Sequence, residues 1–409
     1  MNKGRMKTEV ETLCDLRKET CSPQDCRGVY VGLEHIDAGS FVLARHGTPS
    51  QVRSAKSRFY PGDVLYGKLR PYLDKAIVAE VEGICSTDIL VLEPCGAPSW
   101  FLCGVLHTNR FIEHAKKTTQ GVNHPRTSWS GIKDFETTAF PVSEQKKIAA
   151  VLLKIQRAIE TQEKIIQSLR ALKKSTMQHL FTHGLRGEKT KMTEIGEIPE
   201  SWVVATCEDV AEKITVGIVV RPASYYVRDG VPAFRSLNVR EDRLVSDDLV
   251  YISQVDNDTK LAKSKLCAGD ILVVRTGYPG TSCVVPETYE GTNCIDLVIV
   301  RPKDERLLSH FLSRFFNSEA GKRHALAAKT GLAQQHLNVG AVRRARIPLP
   351  SLGEQTDITN ALASMDSKLL YHESKRSAFQ DLFKTALNKL MTGDIRIGDF
   401  DIDVKEVEG

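Results

Sequence analysis

The stretch that decides the fold begins at Ser143-Glu144-Gln145 and runs to Thr182, about 40 residues without a proline or a glycine. Its Glu-Gln pair returns as Glu354-Gln355, at a shift of 210 (354 − 144). The same shift relates other residues of the two copies: Phe101-Leu102 and Phe311-Leu312, His114 and His324, Gly121 and Gly331, Leu180 and Leu390, Arg186 and Arg396. Two copies are too few for a solenoid, so the repeat predicts a pseudo-symmetric protein. Such a protein usually has a two-part target or two copies of one partner.

Both copies of this stretch have the apolar spacing of a long amphipathic helix. The seam positions are Ile148, Leu152, Ile155, Ile159, Ile166 and Leu169 in the first copy, and Ile358, Leu362, Met365, Leu369, Phe379, Phe383, Ala386 and Leu390 in the second. A single helix of this kind cannot bury its apolar stripe alone. We therefore expect the two helices to pack against each other, antiparallel if a two-fold axis relates the halves.

Polar residues interrupt the two seams near their middle, at Gln162, His372 and Arg376. Centred antiparallel packing is expected to bring Gln162 near Arg376 and His372 near Ile166. A buried polar layer can fix the register of paired helices. The alternative is that the helices splay there and the three side chains are solvated.

Short alternating apolar runs, broken by Gly, Pro and Asp, surround the two helices and predict globular domains of mixed α/β structure. We predict strands over 28–33, 63–66 and 89–92, and a helix from Trp100 to Lys117. The fold class is α+β (mixed), with two pseudo-symmetric α/β domains separated by two long antiparallel coiled-coil helices. The predicted parts are a first domain (1–140), a first long helix (141–186), a linker (187–200), a second domain (201–348), a second long helix (349–396) and a frayed acidic tail (397–409).

Composition and motifs narrow the function classes. The net charge is only +5, with 41% hydrophobic residues, so nucleic-acid binding would need local basic clusters. No apolar run reaches the roughly 20 residues of a membrane helix and the N-terminus does not resemble a secretory signal, so we expect a cytoplasmic protein without membrane contact. The ten cysteines form no CxxC pair, so we expect no metal site. Walker, HExxH and Gly-x-Ser-x-Gly motifs are absent, which favours a non-catalytic protein.

The motifs that flank the helices carry a family resemblance. The helix starts are Pro141-Val142-Ser143-Glu144-Gln145 and Pro350-Ser351-Leu352-Gly353-Glu354-Gln355, and the ends are Leu180-Phe181-Thr182-His183-Gly184 and Leu390-Met391-Thr392-Gly393. Ile198-Pro199-Glu200-Ser201-Trp202 precedes the second domain. In order and spacing, over nearly the whole chain, these motifs resemble the specificity subunit of a type I restriction–modification system.

The resemblance implies that each domain is a target recognition domain that reads one half of a split sequence in double-stranded DNA. It implies that the paired helices set the spacing and dock two methyltransferase subunits, and that restriction/translocase subunits complete the enzyme. S-adenosylmethionine, ATP and magnesium then belong to the partner subunits, and this chain holds no cofactor. Two alternatives stay open: the recognition subunit of a type IIB-like system, and a coiled-coil scaffold that binds no DNA.

Base reading requires Arg, Lys, Asn and Gln on loops at the groove. In the first domain the candidates are Lys68, Arg70, Tyr72, Lys75, Lys117, Thr119, Gln120, Asn123 and Arg126. In the second domain they are Arg235, Asn238, Arg275, Thr276, Tyr278, Lys329, Thr330, Gln334, Gln335 and His336. The alternatives for each are a phosphate contact, a surface salt bridge or a solvated position. The scaffold repeats while these residues differ, which predicts an asymmetric site with two unlike halves.

Overall fold

The computed structural model describes residues 6–303, 305–326 and 337–407. They belong to two compact units, one made of residues 1–165 with 372–409 and the other of residues 166–371. The chain crosses from one unit to the other within each of the two long helices.

From residue 6, where the described part begins, to the end of the first long helix, there are ten strands and four α-helices besides short 3-10 turns. The strands are β1 (Lys7–Glu9), β2 (Cys14–Leu16), β3 (Thr20–Cys21), β4 (Val29–Val31), β5 (Lys56–Phe59), β6 (Val64–Gly67), β7 (Ala76–Val78), β8 (Gly83–Cys85), β9 (Ile89–Pro94) and β10 (Glu136–Thr138). The helices are α1 (Ser99–Leu106), α2 (Asn109–Lys117), α3 (Trp129–Ile132) and the long α4 (Val142–His183).

Among the described residues that follow, the strands are β11 (Thr190–Thr193), β12 (Gly196–Pro199), β13 (Val203–Thr206), β14 (Ala211–Val216), β15 (Tyr226–Val227), β16 (Val231–Phe234), β17 (Val239–Arg240), β18 (Arg243–Leu244), β19 (Val250–Ile252), β20 (Ile271–Val274), β21 (Ser282–Val284), β22 (Asn293–Cys294), β23 (Leu297–Pro302) and β24 (Arg346–Leu349). The helices are α5 (Cys207–Val210), α6 (Gln254–Asp258), α7 (Ser309–Asn317), α8 (Glu319–Leu326), α9 (Val339–Arg344) and the long α10 (Leu352–Met391).

Each domain has an inner sheet of the same design. The order is β2-β9-β6-β7 in the first domain and β14-β23-β20-β21 in the second, with antiparallel pairing throughout. One face of each inner sheet packs against the helix that follows its last strand, α1 or α7, and against a long helix. The predicted mixed architecture, with two domains and long paired helices, is therefore confirmed.

The outer sheets break the pseudo-symmetry. The first domain has the order β3-β5-β8-β4, and the second has β15-β19-β16-β22. Strands β4 and β16 correspond, because each leads into a 3-10 turn whose third residue caps the backbone N–H before the turn, with His35 Nδ1 on Gly32 and Asn238 Oδ1 on Arg235, both at 2.9 Å. Yet β4 lies at a sheet edge and β16 lies inside its sheet. The two domains thus share the strand order of the inner sheet and differ in that of the outer sheet.

The repeated Gly-Asp pair before the central inner strand is structural. Gly62 and Gly269 have φ angles of 92° and 85°, which a residue with a side chain rarely adopts. The adjacent carboxylate of Asp63 accepts hydrogen bonds from Arg17 at 2.9 and 3.0 Å. In the second domain Asp270 accepts them from Arg301 at 2.7 and 2.8 Å. The pairs explain why this dipeptide recurs.

The predicted helix from Trp100 to Lys117 is wrong in one respect, because it is broken at His107. Helix α1 ends at Leu106, and α2 begins after Thr108, whose side chain accepts a hydrogen bond from the N–H of Phe111. The imidazole of His107 is buried, with Nδ1 2.7 Å from Asp74 Oδ1 and Nε2 2.9 Å from Ala76 O. Because the ring serves these two acceptors, the chain turns there instead of continuing as helix.

The same junction in the second domain carries Asn317 in place of the histidine. Its side-chain amide donates to Asp242 Oδ1 and to Ser282 O, both at 2.9 Å. Burial lowers the pKa of His107, but Asp74 and Cys103 together outweigh it through hydrogen bonds and charge, and they raise that pKa to about 10. At this junction the hydrogen-bond donor is therefore a charged imidazolium in the first domain and a neutral amide in the second.

The long helices run antiparallel within each unit, as predicted. In the first unit, Glu163 of α4 accepts a hydrogen bond from Arg376 of α10 at 2.6 Å, and Glu144 at the start of α4 binds Arg396, just past the end of α10. In the second unit, Lys173 of α4 lies 2.6 Å from Asp366 of α10. In both units later residues of α4 therefore face earlier residues of α10. The predicted seam positions are buried or half-buried.

The repeated Glu-Gln pair locks the start of each long helix. In the second unit, Glu354 is buried and accepts hydrogen bonds from the indole N–H of Trp202 and the backbone N–H of Leu185, both at 3.2 Å. In the first unit, Glu144 is buried and accepts from the Arg396 guanidinium at 2.7 Å and from the Ile397 N–H at 3.3 Å. Each carboxylate thus holds the segment that leaves the antiparallel partner helix.

The glutamine of each pair bonds to backbone groups beside the helix start. Gln355 accepts from the N–H of Leu308 at 2.8 Å and donates to Arg306 O and Pro350 O at 3.0 Å. Gln145 donates to Phe140 O at 2.9 Å. A buried side chain with such partners cannot be replaced without leaving polar groups unsatisfied, which explains the recurrence of both residues.

Two segments are more ordered than the sequence predicts. The expected linker contains the hairpin β11–β12, and its Ile195 and Ile198 join the apolar core of the second unit. The acidic tail is not frayed up to residue 407, because Ile397 and Val407 are buried in the core of the first unit. In both segments a few apolar residues among many charged ones supply the contacts. None of the helices in the described ranges is both long and apolar enough to cross a membrane.

Candidate nucleic-acid interface

In the first domain, the end of β6 and the loop before α3 form one surface. The N–H of Lys68 donates to Asp88 O at 2.9 Å, and the N–H of Thr127 donates to Lys68 O at 3.0 Å. The N–H of Arg70 donates to Pro125 O at 2.7 Å. These backbone bonds bring together two sequence segments that carry predicted DNA contacts.

The loop is a tight hairpin closed by Gln120 and Arg126, whose backbone groups exchange hydrogen bonds of 2.9 and 3.0 Å. Gly121 permits the turn with a φ of 91°, and its position leaves no room for a side chain without contact to His124 O. All residues from 120 to 124 are exposed, and Val122 at the tip is 98% exposed. Beside the hairpin lies an open cleft of about 490 Å³ lined by Thr118, Asn123 and Ser128, among others.

A bidentate ion pair anchors this hairpin. Arg126 donates from Nε to Asp88 Oδ1 at 2.7 Å and from Nη2 to Asp88 Oδ2 at 3.2 Å. The hydrogen bonds from Arg126 lower the pKa of the Asp88 carboxyl, and the charges of Lys68 and His124 act in the same direction. The guanidinium of Arg126 is thus engaged within the protein, and the neutral tip of the hairpin projects beyond it.

The remaining candidates of the first domain divide into exposed and engaged side chains. Arg70, Tyr72, Lys117, Gln120 and Asn123 are exposed, and Lys68 is half-buried. The ammonium of Lys75 donates to Leu33 O at 2.5 Å, and the hydroxyl of Thr119 donates to Lys116 O at 2.8 Å. These two side chains therefore have intramolecular roles in this conformation.

In the second domain, Arg275 takes the place of Lys68 at the end of the central inner strand. Its side chain is 13% exposed, forms an ion pair with Asp296, and donates from Nε to Leu337 O at 3.1 Å. The N–H of Leu337 donates in turn to Arg275 O at 2.9 Å, as that of Thr127 does to Lys68 in the first domain. Thr276 and Tyr278 follow on the exposed turn, where Tyr278 is 83% exposed.

The pair Arg235 and Asn238 is placed differently from the prediction. Asn238 is fully buried, its amide donating to Asp247 O at 2.7 Å while its carbonyl caps the turn. Arg235 is half-buried and donates to Asp248 Oδ2 at 3.0 Å. Asn238 therefore cannot touch a ligand outside the domain in this conformation. Lys329, Thr330, Gln334, Gln335 and His336 lie outside the described residues.

The predicted polar layer has different partners from those expected. Gln162 is buried and its Oε1 lies 2.8 Å from His372 Nδ1, whereas the prediction paired it with Arg376. Arg376 donates to Glu163 Oε2 at 2.6 Å instead. Gln162 and Glu163 are adjacent on α4, and their partners His372 and Arg376 lie one helical turn apart on α10. That these residues set the helix register remains a prediction.

Sequence reasoning missed the aspartates that organise both surfaces. Asp88 and Asp296 precede the last inner strand in their domains, and each holds an arginine from another segment. The repeat of Asp88-Ile89 and Asp296-Leu297 was a usable signal, because an acidic residue at an otherwise basic surface needs a partner. A surface cluster of Glu9, Glu11 and Asp134 is compensated by Lys133, whose ammonium lies 2.9 Å from Glu11 and 3.2 Å from Asp134.

Comparison with known proteins relates the chain to type I restriction enzyme specificity proteins. Residues 199–378 match the model of a family described as the type I restriction modification DNA specificity domain. Over 291 residues the chain is 27% identical to the type I restriction enzyme MjaVIII specificity subunit of Methanocaldococcus jannaschii, covering 69% of this chain and 67% of that protein. Over 386 residues it is 26% identical to the putative type I restriction enzyme MjaX specificity subunit of the same organism, covering 89% and 86%.

A solved structure shows the same fold. The type I restriction–modification system S subunit from M. genitalium aligns over 95% of this chain and 96% of its own, with a TM-score of 0.59 and 14% identity. Residues 199–378 thus carry a type I restriction modification DNA specificity domain. Over most of its length the chain is similar to specificity subunits of type I restriction enzymes.

Proposed function

We propose that this chain gives a type I restriction–modification enzyme its sequence specificity by reading an asymmetric, two-part site in double-stranded DNA. One observation supports this most directly. The inner sheet is built twice with the same strand order, and the same sheet edge carries different polar residues in each copy. Lys68 and Arg70 stand there in the first domain, and Arg275, Thr276 and Tyr278 in the second. A repeated scaffold with unlike surface residues suits two unlike half-sites.

The first half-site is read by the hairpin from Gln120 to Arg126 together with the turn at Arg70. The hairpin tip is narrow and exposed, and it is held by the ion pair between Arg126 and Asp88. A loop that is ordered before binding loses less entropy on contact with DNA. Asn123 and Gln120 can donate to and accept from base edges, while Lys68 and Lys117 suit phosphates.

The partners follow from the family. Two methyltransferase subunits dock on the paired long helices, which set the half-site spacing, and restriction/translocase subunits join that core. S-adenosylmethionine, ATP and Mg²⁺ belong to these partners, and this chain holds no cofactor and catalyses no step. The assembly acts on DNA in the cytoplasm. The buried Gln162 and its neighbours His372 and Arg376 fix the register of the helix pair on which docking depends.

Methylation mapping tests the proposal. The chain is co-expressed with the methyltransferase subunit of its own operon in a methylation-free host, and modified bases are mapped by single-molecule sequencing. We expect one motif with two different half-sites and an unread spacer. Absence of sequence-specific methylation, or a palindromic motif, would contradict the proposal.

A charge variant tests the assignment of the surface. The double change Lys68→Ala and Lys117→Ala should weaken DNA binding at every sequence and reduce the salt dependence, with a loss of about 0.9 in the log–log slope for each phosphate contact. Binding of the methyltransferase subunit should be unchanged. Arg306→Ala is a matched control. Arg306 is exposed, but it follows strand β23, whereas Asp296 of the candidate surface precedes that strand. An unchanged slope in the double variant would contradict the assignment.

A further inference from the structure

Two arginines of this chain have an unusual backbone conformation. Arg70 has φ 52° and ψ 65°, and Arg221 has φ 44° and ψ 54°, both in the left-handed region. The other non-glycine residues with positive φ in the described part of the chain are all aspartates, at positions 74, 242, 248 and 296. Aspartate tolerates this region because its short side chain bonds locally, whereas arginine has no such compensation.

Both arginines also precede a proline, Pro71 or Pro222, which opens a short 3-10 helix. A residue before proline is normally restricted to extended conformations, so two unfavourable conditions coincide. Hydrogen bonds hold the turns: the N–H of Leu73 donates to Arg70 O at 2.9 Å, and the N–H of Ser224 donates to Arg221 O at 2.9 Å. Strained residues that their surroundings hold in place cluster at binding sites.

The two turns lie at the same end of their inner sheets, where the last inner strand, β9 or β23, begins. Arg70 follows Lys68, whose N–H donates to Asp88 O at 2.9 Å. Arg221 follows Ile218, whose carbonyl accepts from the N–H of Asp296 at 3.1 Å. Asp88 and Asp296 are counterparts in the two domains. Each arginine is therefore two or three residues from a backbone bond to the aspartate that organises the candidate DNA surface of its own domain.

A different strand leads to this end of the sheet in each domain. Arg70 and Arg221 are therefore not at equivalent positions of the sequence repeat. In the first domain the edge strand β2 leaves the sheet at Leu16, which pairs with Leu92. In the second domain β14 continues to Val216, which pairs with Val298. Because β14 is longer than β2, the chain after it reaches Asp296, and Arg221 follows. Arg70 instead follows the central strand β6.

The side chains are available for a ligand. Both arginines are exposed, and within the described ranges neither guanidinium has a hydrogen-bond or ion-pair partner. Arg126 and Arg275 at the same surfaces are instead committed to Asp88 and Asp296. In each domain one arginine is thus engaged by the aspartate, whereas the strained arginine has an exposed guanidinium without a partner among the described residues.

We propose that Arg221 is a specificity-determining contact of the second DNA half-site, as Arg70 is of the first, with its guanidinium reading a guanine edge in the major groove. Arginine matches the two acceptors of guanine in a bidentate manner, and a turn fixed before binding aims it without further ordering. This inference rests on the proposed function.

The experiment uses the full chain assembled with its methyltransferase subunits. The variants are Arg221→Gly and Arg70→Gly, because glycine adopts the left-handed backbone without strain and removes only the side chain. Discrimination is measured as the relative rate of methylation across libraries randomised in one half-site at a time. Arg221→Lys keeps the charge but cannot form the bidentate contact, and Arg306→Ala is the control.

We expect Arg221→Gly to reduce discrimination at one position of the second half-site by about 5- to 150-fold, with the first half-site unchanged. Arg70→Gly should have the mirror effect, and Arg221→Lys should lose the same discrimination. The melting temperature of Arg221→Gly should equal or exceed that of the wild type, because strain is removed. A purely structural role for Arg221 would instead lower it.

Full discrimination by Arg221→Gly, or equal weakening at all sequences, would overturn the inference. The proposed function fails separately, when the wild-type assembly itself shows no sequence preference. If the wild type and Arg70→Gly behave as expected while Arg221→Gly is unchanged, the proposed function stands and the inference alone fails.

Discussion

Replacing Arg314 with methionine is expected to destabilise the second unit by about 3 kcal/mol, the lower end of the range for breaking a buried ion pair. Arg314 lies on α7, is buried, and donates to Asp242 Oδ2 at 2.6 Å and to Asp366 of α10. Lys173 of α4 lies 2.6 Å from Asp366 Oδ1 and 3.8 Å from Asp242 Oδ2. The charges of two carboxylates and two cations thus cancel in a cluster that links the second domain to both long helices within this unit.

The magnitude follows from what the variant leaves behind. Without Arg314 the cluster carries a net charge of −1, although Asp242 keeps hydrogen bonds from Ser313 and Asn317, both at 2.9 Å. Asp366 is 27% exposed, so water screens part of the excess charge and the low end of the range applies. Methionine fills much of the arginine volume, which limits the cavity contribution.

Amide hydrogen exchange measured by mass spectrometry checks this expectation. A loss of about 3 kcal/mol corresponds to about 150-fold less protection in α7 and the first part of α10. Helix α1 of the first unit is the internal control, because its counterpart of Arg314 is Gly104 and its contacts with the long helices are apolar. The double change Arg314→Met with Asp366→Asn restores neutrality and should recover about 1 kcal/mol. A single variant that costs less than 1 kcal/mol, or a double variant less stable than the single, would refute the reasoning.

Three further predictions concern the first unit. The wild type should lose stability as the pH rises from 6.5 to about 10, because the raised pKa of His107 is crossed in that range. His107→Asn, which introduces the residue of the second domain, should not show this loss. Unfolding midpoints across the range measure the difference, and a pH-independent wild type would contradict the prediction. Gly104→Ala should stabilise by about 0.5–1 kcal/mol, because a Cβ would meet neighbours at 3.4–3.6 Å in a helix; a lowered melting temperature would show the site is too tight. Glu144→Gln should destabilise at pH 7, and the difference from wild type should shrink below pH 4.5, because Arg396 lowers the pKa of Glu144; denaturant titrations at both pH values decide this.

Local patterns predicted the long helices well. The positions of Ile148, Leu152, Ile358 and Leu362 follow from helical periodicity, and all four are buried. The break at His107 could not be predicted in this way, because the apolar pattern continues across it. The break depends on an aspartate 33 residues earlier in the chain, and such a contact is fixed by tertiary packing.

The candidate site was predicted only in outline. The hairpin around Asn123 and the turn at Tyr278 are exposed, as a binding surface requires. Residue type alone does not distinguish a free cation from an engaged one, so Arg126 and Arg275 could not be separated from Arg70. Burial of Asn238 was equally hidden, because capping of a 3-10 turn leaves no periodic signal.

The composition of the first unit has a consequence for synthesis on the ribosome. Its core contains Phe383, Leu387 and Ile397, so that core cannot close until these residues have left the exit tunnel. The second unit, residues 166–371, is continuous and can fold as soon as those residues have left the exit tunnel. Nascent chains usually fold from the N-terminal domain onward. Here the second unit is complete first, and residues 1–165 keep apolar surface uncovered until residues 372–397 have emerged.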